Sequence, residues 1–148
     1  MRAVLIPLSL FLGVAVLSCA QHDSEQNGAD TIKEVIPWRP TLAAARTEAQ
    51  SQHKVILIDF FATWCGPCKA MARTTWADPK VASALGNIVP VQIDVDKHED
   101  IARQYGVEVM PTLMLVDAQG TVIRSYTGGL ESDELIGWVN GKQPASQP

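Results

Sequence analysis

The residues from Lys54 to Ala62, KVILIDFFA, restrict the fold more than any other stretch of the chain. They form a near-continuous apolar run with β-branched residues, lacking the polar alternation of a strand with one face in water. Such a run suits a strand buried on both faces, which needs helices packed above and below it. The flanking segments supply them. TLAAARTEAQSQ is rich in helix formers, with Thr41 placed as N-cap. Pro67 stands where a first helical turn tolerates proline, and Lys69 to Thr75 reads as helix. ADPKVASAL restarts a helix, with Asp78 as cap and Pro79 just inside. NIVPVQIDV is a second strand and HEDIARQYG a short helix closed by Gly106. TLMLVDAQGTVIRSY is a hairpin turning around Asp117 to Gly120. ESDELIGWVN is a last helix with Leu135, Trp138 and Val139 on one face. The order is α-β-α-β-α-β-β-α. Strands separated by helices are expected to pair in parallel, and the hairpin to add an antiparallel edge. The fold class is therefore α/β, a central mixed sheet with helices on both faces.

A chain of 148 residues holds one domain with a real core. A formal net charge of −4 argues against nucleic acid as a partner. The first twenty residues, MRAVLIPLSLFLGVAVLSCA, are laid out like a secretory signal: Arg2, an apolar run, then small residues. Pro7, Ser9 and Gly13 weaken the run as a permanent span. VLSC, Val16 to Cys19, resembles the lipobox of bacterial lipoproteins, which implies cleavage before Cys19 and a lipid on its thiol. Cleavage after Ala20 and an uncleaved anchor are the rival readings. The expected organisation is a signal peptide of the lipoprotein type over 1–18, a flexible tether over 19–33, a folded domain over 34–141 and a disordered tail over 142–148.

Two of the three cysteines, Cys65 and Cys68, stand three positions apart with Gly66 and Pro67 between them. Three uses fit such a pair: half a metal site, a structural staple, or a dithiol that opens and closes. The metal reading is short of ligands, since only Cys19 and the scattered His22, His53 and His98 remain. The staple closes a loop so small that it removes little entropy from the unfolded chain. The redox reading has a positive argument. Cys65 lies where the strand meets a helix N-terminus, whose free N–H groups and partial positive charge favour a thiolate. A thiolate is the species that attacks a disulfide. Cys68, one turn on and more enclosed, would resolve the mixed disulfide.

WCGPCK matches the active-site motif of thioredoxins, and the likeness extends to IDFFATW upstream, VMPT downstream and GGL near the end, over about residues 34 to 140. The resemblance implies the thioredoxin fold, a Cys65–Cys68 disulfide in the oxidised form, and roles for further residues. Asp59 matches the buried carboxylate that helps move a proton to or from the resolving cysteine, with a strand-end aspartate that merely meets solvent as its alternative. Met110-Pro111 matches the cis-proline that packs on the disulfide, leaving the backbone of Met110 free to pair with an extended substrate. Trp64 would lid Cys65, with core packing as its alternative, and Gly66 and Pro67 would line the substrate surface. Gly128 would complete that surface or simply serve a turn. Phe61, Gln92 and Arg73 depart from the usual tryptophan, lysine and helix-kinking proline of cytosolic thioredoxins. TWADPKV, with its inserted turn, looks like the C-terminal domain of DsbD-type disulfide reductases.

The function expected from these features is protein-disulfide reduction in the bacterial cell envelope, on the periplasmic side, by a lipid-anchored monomer. Soluble periplasmic or secreted protein is the alternative location. The Gly-Pro dipeptide belongs to thioredoxin, whose potential is about −270 mV, against about −120 mV for the oxidant DsbA. A reductant in an oxidising compartment needs recharging, so a membrane electron donor of DsbD or CcdA type is implied. Misoxidised proteins and apocytochrome c, hence cytochrome c maturation, are the candidate substrates. An oxidase or isomerase, and a non-catalytic peptide-binding module, are the competing functions. No cofactor, metal or nucleic acid is expected.

Overall fold

The computed structural model describes residues 35–145. The expected signal peptide, Cys19, the expected tether up to residue 33 and the last three residues of the expected tail lie outside the described residues. The elements are α1 (Leu42–Gln52), β1 (Val55–Phe61), α2 (Gly66–Arg73), α3 (Pro79–Ala84), β2 (Ile88–Asp94), α4 (Glu99–Gln104), β3 (Thr112–Val116), β4 (Val122–Thr127) and α5 (Ser132–Val139). Local chemistry sets several of their ends. Thr41 Oγ1 accepts from the Ala44 N–H at 3.1 Å, and Asp78 Oδ1 from the Lys80 N–H at 2.8 Å. Asp117 builds the hairpin turn, its carboxylate accepting from the N–H groups of Gln119 and Thr121. The helix that carries the segment from Lys69 begins at Gly66, with Cys65 as its N-cap and Pro67 in its first turn as expected. It stops at Arg73, so Thr74 and Thr75 belong to the turn before α3.

The four strands lie in the order β2-β1-β3-β4. β1 is central and buried along its inner five residues, as its unbroken apolar run requires. It pairs in parallel with β2 and antiparallel with β3, and β3 and β4 form the hairpin. The direction of β3 corrects the expectation that helix-separated strands pair in parallel. The six residues of α4 span about 9 Å, whereas the seven of β2 span about 23 Å. The helical part of the connection is too short to carry the chain back. β3 therefore starts at the end of the sheet where β1 and β2 finish, with Thr112 beside Phe60.

Side chains alternate along β1. Leu57 joins Met71, Trp76, Val81, Leu135 and Trp138 in the core under α2, α3 and α5. Ile56, Ile58 and Phe60 join Leu42, Ala45 and Ala49 of α1 on the opposite face. Asp59, in register with Leu57, faces the α2 side. The outer edge of β2 is covered by Arg39, whose N–H donates to Pro90 O at 2.9 Å. Beyond α5 the chain stays attached, the Lys142 N–H donating to Gly137 O at 2.9 Å.

Candidate active site

Cys65 is the N-cap of α2 and Cys68 sits in its first turn. The two are joined by a disulfide, with Cα atoms 5.3 Å apart. The Cys68 N–H donates to Cys65 Sγ at 3.2 Å, so a helix N–H already points at the sulfur expected to carry negative charge. Pro67, lacking an N–H, occupies a helical position where none is needed. A Cβ on Gly66 would meet nothing within 4 Å, so that position faces open space. The expected contrast between an open Cys65 and an enclosed Cys68 is absent in the disulfide form, where the residues are 4% and 8% exposed. Ala62 clusters with both cysteines, and Phe61, Val95 and Met110 pack against that cluster. The two cysteines differ in what lies beside them.

Beside Cys68 lies Asp59. Its carboxylate is 2% exposed, and β1–β2 register sets it opposite Gln92, whose Nε2 donates to Oδ2 at 3.0 Å. Among the described residues Oδ1 has no hydrogen-bond partner. Burial pushes the pKa up from 3.8 to about 6, while hydrogen bonding from Gln92 and a weaker pull from the Trp76 side chain oppose the rise. The glutamine at position 92 gives a donor but no positive charge, so desolvation wins. A pocket of about 290 Å³ is lined by Asp59, Cys68, Lys69 and Gln92 among others, putting the carboxylate and the second cysteine on one space. This is geometry for a proton relay to the Cys68 sulfur.

The outer surface is assembled from three loops. Met110-Pro111 is a cis peptide bond, and Met110 packs on the disulfide. Thr112 Oγ1 donates to Val109 O at 2.7 Å, bracing this loop. The Gly128 N–H donates to Pro111 O at 2.8 Å. Gly128 has φ +117°, a conformation that excludes ordinary L residues, so its identity is set by the backbone. Thr75 Oγ1 reaches across to Leu130 O at 2.6 Å and ties the end of the redox helix to the Gly128 loop. Trp64 is 64% exposed, which rules out core packing. Its Nε1 donates to Asp96 Oδ2 at 2.9 Å, and Asp96 is itself held by its N–H on Asp94 Oδ1. Trp64, next to Cys65 in the chain, and Val109, next to Met110, are exposed apolar side chains.

Asp96, Thr75 and the Thr112 hydroxyl were not singled out from sequence. Asp96 and Thr75 act over 32 and 55 residues, which no local spacing reports. His53 caps the end of α1 and His98 the start of α4. Among the described residues no three His, Cys, Asp or Glu side chains converge as metal ligands do, and no helix is long and apolar enough to cross a membrane.

Comparison with known proteins places this arrangement. A family model described as Thioredoxin matches residues 40–141. The chain is 41% identical over 93 residues to thioredoxin-2 of Pyricularia oryzae, covering 61% of this chain and 45% of that one. It is 28% identical over 100 residues to the thiol:disulfide interchange protein DsbD of Haemophilus influenzae, covering 64% and 17%. The match thus spans less than half the length of either relative. Among solved structures, the oxidised C-terminal domain of Neisseria meningitidis DsbD superposes with a TM-score of 0.57 at 25% identity, over 68% of this chain and 91% of that domain. With a redox-motif cysteine pair at a helix N-terminus, Met110 of a cis Met110-Pro111 bond packed against it and a family match over most of its length, the chain belongs to the thioredoxin family.

Proposed function

We propose that this protein is a thiol–disulfide oxidoreductase that mainly reduces protein disulfides, held at the envelope membrane through Cys19. The observation that carries the reading is the placement of the Cys65–Cys68 pair: one sulfur under a helix N-terminus, the other sharing a pocket with a buried carboxylate of raised pKa. In the reduced form the Cys65 thiolate attacks a substrate disulfide and expels one substrate thiolate, which takes a proton. Cys68 loses its proton towards Asp59 and attacks the Cys65 sulfur. The second substrate thiolate leaves, and the disulfide of this structure forms. Two electrons pass to the substrate. The oxidised protein then needs a dithiol donor, for which a membrane protein of DsbD or CcdA type is the natural source.

The direction is supported by the Gly-Pro dipeptide and by the likeness to DsbD. Equilibrium titration of the pair against glutathione and dithiothreitol tests it. A potential near the thioredoxin value of about −270 mV fits a reductant, and one near about −120 mV assigns an oxidase instead. Function in holding extended chains that survives removal of both cysteines would make the protein a non-catalytic binding module. Intact mass spectrometry of membrane-extracted protein tests the anchor, since an unlipidated N-terminus at Gln21 contradicts it.

A further inference from the structure

A second pocket, of about 230 Å³, opens on the sheet face opposite Asp59. Strand register explains it. Thr112 pairs with Phe60 and with Thr127, and Ser125 pairs with Met114, so these side chains share a face away from the Asp59 pocket. Segment 106–109 forms the other wall and brings Glu108 and Val109 to it.

Counting donors gives the pocket a definite chemical character. Thr112 has a single hydroxyl hydrogen, and it goes to Val109 O at 2.7 Å. The 3.3 Å contact between the Thr112 and Thr127 hydroxyls must therefore run with Thr127 donating. That leaves the lone pairs of Thr127 open. Glu108 makes no ion pair or hydrogen bond among the described residues, and the Ser125 hydroxyl makes none either. No Lys, Arg or His lines the pocket. The lining offers a free carboxylate and open hydroxyl oxygens, with Ser125 as the one side-chain donor to spare. The complement of such a lining is a donor-rich cation.

We propose that this pocket is a substrate subsite for a lysine or arginine side chain close in sequence to the disulfide under attack. The proposal rests on the oxidoreductase reading, because it needs an extended substrate chain against Met110. The loop that would hold that chain is the one that walls the pocket. Glu108 is two residues from Met110, and the exposed Val109 borders both places. Chains whose reactive cysteine has a basic neighbour are reduced in preference, and acidic ones are disfavoured.

The test uses the full chain and matched disulfide peptides carrying Lys, Ala or Glu in turn at the three positions on either side of the attacked cysteine. At one or more positions the Lys peptide should exceed the Ala peptide in kcat/KM by about fivefold, the size of an exposed, well-placed ion pair. That ratio should shrink as salt rises. Glu108→Gln should bring it close to one, and Glu108→Lys should turn the preference towards the Glu peptide. Each ratio is taken within one variant, so a change in overall activity does not distort it. Equal kcat/KM for Lys and Ala peptides at every position overturns the subsite, as does a Lys preference that survives Glu108→Gln. Failure to exchange with any peptide, or with hydroxyethyl disulfide, brings down the oxidoreductase reading and the subsite with it.

Discussion

Asp59 shares a pocket with Cys68 and Asp96 holds Trp64 next to Cys65, and the fold uses the two in opposite ways. Asp59 is sealed into β1, 2% exposed, with one oxygen unpartnered among the described residues and its pKa pushed to about 6. Asp96 lies in the loop after β2, where one oxygen accepts from the exposed Trp64. Burial gives the first a proton to trade. The loop gives the second a surface residue to hold. The inner region of the site is thus built by desolvation and the outer region by hydrogen bonds that fix loop shape. Substitutions in the two regions should fail in different ways.

The largest effect belongs to the cysteines. Cys65→Ser should lower insulin-disulfide reduction by on the order of 10³-fold or more and trap no partner. Cys68→Ser should be as inactive yet accumulate mixed disulfides visible on non-reducing gels. If Cys68, not Cys65, is alkylated first in the reduced protein near neutral pH, the roles are exchanged.

Asp59→Asn should come next, slowing the resolving step by about 10²-fold and flattening its pH dependence around the titration of the carboxyl. Its stability effect has a definite sign. The fold holds this proton more tightly than the unfolded chain, with a pKa of about 6 against an ordinary 3.8. The cost of burying the charge is absent below pH 3.8, grows between 3.8 and 6, and is complete above. Asp59→Asn should therefore stabilise the protein at pH 8 by up to about 3 kcal/mol and change little below pH 4. Melts at both pH values check this, and identical curves with identical rate profiles would give Asp59 no part in either.

Two glycines sharpen the contrast further out. Gly128→Ala should cost about 1–2 kcal/mol and raise KM for protein substrates, because φ +117° is strained for any L residue although the nearest side-chain atom is 3.7 Å away. Gly66→Ala, which meets open space, should stay within about 0.5 kcal/mol of the parent. Chemical denaturation of the pair separates backbone strain from mere proximity to the disulfide. Asp96→Ala should have the smallest effect. Freeing Trp64 should raise KM by no more than about fivefold and leave the pH profile alone, since the bond is exposed. A shifted pH profile would merge the two regions into one network.

Much of the inner region was legible in the sequence. The apolar run around Asp59 forecasts a strand with both faces covered, and an acid in such a run has nowhere to go but the interior. Cys65, Cys68 and Pro67 announce a helix start by their spacing. The outer region was less legible. Pro111 was reached through family likeness, since a cis bond leaves no local mark. The Trp64–Asp96 and Thr75–Leu130 contacts exist only once the chain has folded. The direction of β3 depends on how far a connection can reach, which element order alone leaves open.

The cap of α2 has a bearing on how position 65 is probed. The atom that receives the Cys68 N–H is the atom that would attack substrate, so the start of the helix and the start of the chemistry share one sulfur. Serine can take over the hydrogen bond, as one of the favoured N-cap residues, and alanine cannot, at a cost of about 1 kcal/mol. Cys65→Ser consequently deletes the nucleophile from an intact helix, while Cys65→Ala also loosens the first turn that carries Cys68. Lost activity in the serine variant reads as lost chemistry; in the alanine variant it mixes chemistry with fraying.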